Sequence, residues 1–216
     1  MLTFTAEESG RLRAAMVSKN ITPSFDELTK AVNRSKVNTL SSVKRENEVI
    51  RLISQDESIV IKACSGKVTL ARAEEVFSGG IDSDLESWGL DNPSAATSET
   101  AVEVYEVIKN ATFAEIVKPF ETDLGKLCLT QNQIKDFCVE NHKWLRADGR
   151  DGYATFFLFR KDEKKAAILS NLFVVFVVSD YGGLSVFVSR FVLDSVWYAE
   201  PGTRLVFPQL TVSNLI

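Results

Sequence analysis

The sequence is poor in the residues that most often announce chemistry. A single histidine, His142, stands among 216 residues with no HExxH or CxxC spacing around it, so a His-based zinc site would have to borrow Cys138 and carboxylates. The three cysteines, Cys64, Cys128 and Cys138, are too few and too scattered for a disulfide framework. Their odd number points to free, buried thiols in a reducing compartment. The longest uninterrupted apolar run, residues 172–178, is seven residues long. A membrane-spanning helix needs about 20. The opening stretch MLTFTAEE has no basic run followed by an apolar core, so no signal peptide is expected and the expected location is cytoplasmic.

The remaining composition is ordinary, with 45% hydrophobic and 25% charged residues. Such a chain suits one domain of usual size or two small ones; it excludes disorder throughout, collagen and coiled-coil arrays. The formal net charge of -4 is unevenly distributed. Residues 1–76 carry a net +2, residues 77–104 a net -6 with no Lys or Arg, and residues 105–216 a net of zero. The acidic stretch also holds Ser78-Gly79-Gly80, Gly89 and Asn92-Pro93-Ser94. Unopposed like charge and turn-forming residues favour a solvated connector, with Trp88 and Leu90 able to dock it onto a neighbour.

Residues 1–76 read as a helical unit. Thr5-x-x-Glu8 and Ser24-x-x-Glu27 are capping boxes, each followed by apolar residues at helical spacing. A turn at Asn33-Arg34-Ser35-Lys36 leads to a third expected helix over residues 41–54. Ile59-Val60-Ile61 and Val68-Thr69-Leu70 flank Ser65-Gly66-Lys67 as a candidate hairpin. Residues 105–216 read as a second domain. Helix starts are expected at Thr100-x-x-Glu103, Thr112-x-x-Glu115 and Thr130-x-x-Gln133. Residues 153–160, 172–179 and 184–192 then read as strands rich in Phe and Val, with a turn at Asp180-Tyr181-Gly182-Gly183. Two short strands are expected near Val196 and Leu205. The first two long strands are apolar on both faces, so they are expected to be central and covered. The expected fold class is therefore α+β: a winged-helix-like N-terminal unit, an acidic connector over 77–104, and C-terminal helices packed on an antiparallel meander.

The order helix, helix, turn, helix, hairpin resembles the helix-turn-helix family of DNA-binding proteins over about a third of the chain. The resemblance implies that Thr39, Ser41, Ser42 and Arg45 approach base edges and that Arg34, Lys36, Lys44 and Lys67 approach phosphates. Residues 30–51 have a net charge of +4, the most basic stretch present. The alternative is a three-helix packing unit with a solvated basic face, in which Lys44 and Glu48 form an ordinary surface pair.

Phe77-Ser78-Gly79-Gly80-Ile81-Asp82-Ser83 resembles the SGGxDS loop of PP-loop ATP pyrophosphatases, which implies nucleotide contacts at Ser78, Gly79, Gly80, Asp82 and Ser83. The surrounding sequence favours a glycine turn instead, because Arg72-Ala73-Glu74-Glu75 is a poor buried strand and two further acids follow at Asp84 and Glu86. Cys138 and His142 stand i, i+4 on one expected helix, either as a Cys–His pair or with Cys138 as a core thiol. Asp148-Gly149-Arg150-Asp151-Gly152 reads as a helix-to-strand turn, with a cation site or a catalytic group as the alternative. The leading functional expectation is non-enzymatic association with double-stranded DNA, with a protein partner or self-assembly through the C-terminal sheet. A structural or interaction protein without a nucleic-acid role comes second, and a nucleotide-dependent enzyme third. No cofactor and no membrane association are expected.

Overall fold

A computed structural model describes residues 48–120, 123–145, 154–161, 169–180, 182–199 and 203–210. Among them the dominant element is one mixed sheet of eight strands: β1 (Ile50–Leu52), β2 (Ile59–Ile61), β3 (Gly80–Ile81), β4 (Thr100–Val107), β6 (Ala154–Arg160), β7 (Leu172–Asp180), β8 (Gly183–Arg190) and β10 (Arg204–Pro208). The strand order is β1-β4-β10-β6-β7-β8-β3, with β2 also pairing β4. A separate ribbon pairs β5 (Ala111–Thr112) with β9 (Val196–Trp197). Three short helices accompany these strands: α1 (Asp84–Ser87), α2 (Phe113–Val117) and α3 (Gln131–Glu140).

This corrects the expected α+β arrangement of helices packed on a meander beside a winged-helix unit. The meander is there, since β6, β7 and β8 run antiparallel in sequence order. It is the middle of something larger. β10 inserts between β4 and β6 and runs parallel to β6, and β3 pairs in parallel with β8 at the far edge. The expected hairpin over 59–70 does not form: β2 pairs with β4, and Leu70–Arg72 is a single 3₁₀ turn. The end of the helix expected over 41–54 is β1, paired with β4. Most of that helix, and both earlier ones, lie outside the described residues.

The stretch at Thr100 is strand rather than helix. Its capping signal was local, but Val102, Val104, Tyr105 and Val107 suit a pleated surface better than a helix interior. The Thr100 hydroxyl donates instead to the Ser98 carbonyl and accepts from the Gln133 side chain. The other two capping boxes form as read: Thr112 caps α2 and Thr130 caps α3, each with the reciprocal side-chain bond.

Both sheet faces are covered, which explains the apolar runs on β6 and β7. On one face Phe157, Phe159, Val175 and Val186 pack under Ile134, Phe137 and Cys138 of α3. Phe77, Leu85 and Leu90 join the same core. The acidic stretch 77–104 is thus anchored in the fold rather than solvated throughout. On the other face Phe156, Leu158 and Val174 meet Phe113 and Ile116 of α2 and Trp197 of β9. An aromatic row crosses this second face: Phe187 stacks on Phe176 at 5.2 Å, Phe176 meets Phe156 at 5.7 Å, and Phe156 meets Trp197 at 4.1 Å. The register makes the first three direct cross-strand partners. Phe156 and Trp197 are buried, whereas Phe176 and Phe187 are half-buried.

Candidate functional site

Of the residues assigned to DNA from the sequence, Arg34, Lys36, Thr39, Ser41, Ser42, Lys44 and Arg45 lie outside the described residues. Lys67 is described and exposed, but not on a wing. It follows Gly66, whose φ of +71° and close approach to Ser94 and Ala95 dock the loop against residues 94–97. The Ser94 amide donates to the Gly66 carbonyl, and Cys64 and Thr97 exchange backbone bonds. Arg51, the last cation of the basic stretch, donates to the Glu106 carboxylate on β4.

The SGGxDS-like segment is described in full and frames a shallow open cleft of about 440 Å³ lined by Arg72, Glu74, Asp82, Ser83 and Glu86 among others. Three of its backbone donors are already engaged. Gly79 N–H donates to the Leu184 carbonyl at 2.9 Å, Gly80 N–H to Phe77 at 3.1 Å, and Asp82 N–H to Val186 at 2.9 Å. The Asp82 carboxylate accepts from the amides of Asp84 and Val188. A pyrophosphate cradle needs such amides pointing at the ligand. Here the Gly79 and Asp82 amides point into the sheet edge and the Gly80 amide closes a turn onto Phe77. The cation at the cleft, Arg72, pairs with Glu86 at 2.8 Å. The motif itself contains β3, rather than following a buried strand.

Cys138 and His142 do not form a working pair. Cys138 is 1% exposed within the core, and burial pushes its thiol well above the usual range, whereas His142 is exposed beyond the end of α3. Burial also pushes the Cys128 thiol up, to about 12. Both are the protonated, poorly nucleophilic form at neutral pH. No group of three or more His, Cys, Asp or Glu side chains able to hold a metal ion occurs among the described residues. The turn over 148–152 lies outside them. No described helix is long and apolar enough to cross a membrane.

Three polar side chains whose placement matters had no signature in the sequence. Gln131 is 1% exposed at the start of α3; its carbonyl oxygen accepts the Leu70 amide, and its amide nitrogen donates to the carbonyls of Leu90 and Asn92. Ser54, 4% exposed, fills the gap between β1 and β2 and accepts the Val104 amide at 2.9 Å. Asp82 serves the β8 edge in the same way. Beside that edge Arg190 lies over the Trp88 ring at 5.1 Å, and Lys161 donates to the Trp88 carbonyl at 2.6 Å. No family model, curated protein or solved structure matches the chain.

Proposed function

We propose that this chain is a non-enzymatic DNA-associating protein in which the sheet is the folded base and the cationic stretch 30–51 makes the contact. One observation carries the reading: charge is separated along the chain. Residues 1–47 hold eight Lys/Arg against five Asp/Glu, whereas residues 48–216 hold 17 against 24. A polyanion is attracted to the first part and repelled by the second, which favours one orientation of approach. The cationic stretch enters the sheet at β1, the outermost strand on β4. Arg34, Lys36, Lys44 and Arg45 are the proposed phosphate and base-edge contacts, with Thr39, Ser41 and Ser42 as hydroxyl partners in the same stretch. Arg51 is excluded because Glu106 holds it.

The test is retention on duplex DNA across a salt series. Each phosphate contact contributes a slope of about 0.9 in log affinity against log salt, so replacing Arg34, Lys36 and Lys44 together with Gln lowers the slope by about 2.7. Retention that is absent, or unchanged in the triple variant, removes the proposal.

A second reading, self-assembly through the sheet, is favoured by the half-buried Phe176–Phe187 stack on the second sheet face. Sedimentation equilibrium of Phe187→Ser decides it: association weaker than that of the unaltered chain supports this reading, and equal association rejects it.

A further inference from the structure

We propose that the segment Ser78–Trp88 is a guard for the β8 sheet edge, and that its acidic charge keeps a second copy of this chain from adding to that edge. A strand at the end of a sheet presents every second residue's N–H and C=O outward, ready to pair with another chain. On β8 the outward positions follow from the bonds observed. Leu184 and Val186 offer carbonyls that accept from Gly79 and Asp82. Val188 offers an amide that donates to the Asp82 carboxylate at 3.4 Å. Arg190 is next in the period, and its side chain folds over Trp88 at the end of α1.

Two devices are combined here. Backbone pairing is brief, because β3 spans two residues. Beyond it the Asp82 carboxylate takes the place of a strand at Val188, so a side chain and not a continuing backbone row meets that amide. A second copy's β8 would have to displace Asp82 and bring two sets of Asp82 and Asp84 together, Glu86 being paired with Arg72. Both steps are unfavourable: the first takes the buried Asp82 carboxylate away from the Val188 amide, the second opposes like charges. Leu85, fully buried, and Phe77 hold the guard in place from the core side. Close fit does the same at Gly79, where an added Cβ would lie 2.5 Å from the Ser185 hydroxyl. The SGGxDS-like composition thus has a use that needs no nucleotide: small residues let the segment lie flat on β8, and the aspartate terminates the pairing.

The experiment compares the unaltered chain with Asp82→Ala and Asp82→Asn by sedimentation velocity over a concentration series. Far-UV circular dichroism and a thermal melt establish that each variant is folded. Amide hydrogen exchange is followed at Val188 and Arg190. Asp82→Ala is expected to associate at least tenfold more tightly than the unaltered chain, with new protection at those two amides as concentration rises. Asp82→Asn keeps one acceptor oxygen for the Asp84 and Val188 amides, which now use one carboxylate oxygen each, and loses the charge; it is expected to fall between the two. Folded variants that sediment as the unaltered chain does overturn the proposal. So does association that leaves Val188 and Arg190 unprotected, since the contact would then lie elsewhere. If Asp82→Ala does not fold, the milder Asp82→Asn decides by the same two readouts.

Discussion

Replacing Gln131 is the sharpest test of how the sheet's cover is held. This side chain ties the first turn of α3 to two distant backbone segments, and it does so without access to water. Gln131→Ala leaves the Leu70 amide and the Leu90 carbonyl without a partner in buried surroundings. Each such orphan costs about 1–3 kcal/mol. The third bond, to Asn92, is only partly buried and adds less. With the void left by the side chain, the loss is about 3–5 kcal/mol, at the upper end of what single substitutions do. For a chain of this size that lowers the melting temperature by roughly 10 °C.

Gln131→Glu sharpens the test, because it preserves shape and keeps the acceptor for Leu70. It also sets a carboxylate oxygen against the Leu90 and Asn92 carbonyls, where Gln131 Nε2 now sits at 2.7 and 3.0 Å. Burial and those two oxygens raise the folded-state pKa of the introduced carboxyl above its unfolded value of about 4.3. Below that value the group is protonated in both states, and the neutral acid can donate to one carbonyl. As pH rises above it, the unfolded chain ionises first, and the deficit relative to the unaltered chain grows until the folded pKa is passed. Denaturant unfolding at pH 4 and pH 7 therefore shows a larger gap between the two proteins at pH 7. A melting temperature for Gln131→Ala within 2 °C of the unaltered chain, or a Gln131→Glu deficit independent of pH, refutes the account of these bonds.

Two other outcomes follow from the same geometry. Ser54→Ala strips the buried Val104 amide of its acceptor and is expected to cost about 2 kcal/mol in denaturant unfolding, whereas Ser87→Ala, whose hydroxyl makes an exposed bond to Asp84, stays within about 0.5 kcal/mol; equal effects of the two would contradict the role of Ser54 as a plug. Alkylation of the native chain at pH 8, read by mass spectrometry, is expected to modify Cys64 before Cys128 and Cys138, which react once denaturant unfolds the sheet; rapid native labelling of Cys138 would contradict its place in the core.

The proposal for DNA rests on a charge pattern, because net charge along a stretch is a property of sequence alone, and all of the residues expected to touch DNA but Lys67 lie outside the described ones. The polar ties were not legible in the sequence. Gln131 looks like any helix-start glutamine, Ser54 like the last residue of the expected third helix, and Asp82 like part of a phosphate loop. Their partners lie far along the chain: Leu90 is 41 residues from Gln131, Val104 is 50 from Ser54, and Val188 is 106 from Asp82. A side chain's chemistry depends on what the fold brings to it, and no local spacing encodes that.

The same division holds for the fold. The sequence by itself determined the three long strands β6, β7 and β8, the turn between the last two, and the starts of α2 and α3. Runs of β-branched and aromatic residues, Gly-rich turn chemistry and the capping boxes at Thr112 and Thr130 act between residues a few positions apart, and here the tertiary structure left them in place. Tertiary structure alone decided that β4 is a strand, that β10 enters between β4 and β6, and that β3 closes the edge beside β8. At Thr100 a helix cap competed with β-branched residues, and the outcome turned on a gap between β2 and β10 that only a strand fills. Strand order and parallel pairing are bought by burying both sheet faces at once, a cooperative gain that belongs to the assembled core and to none of its segments.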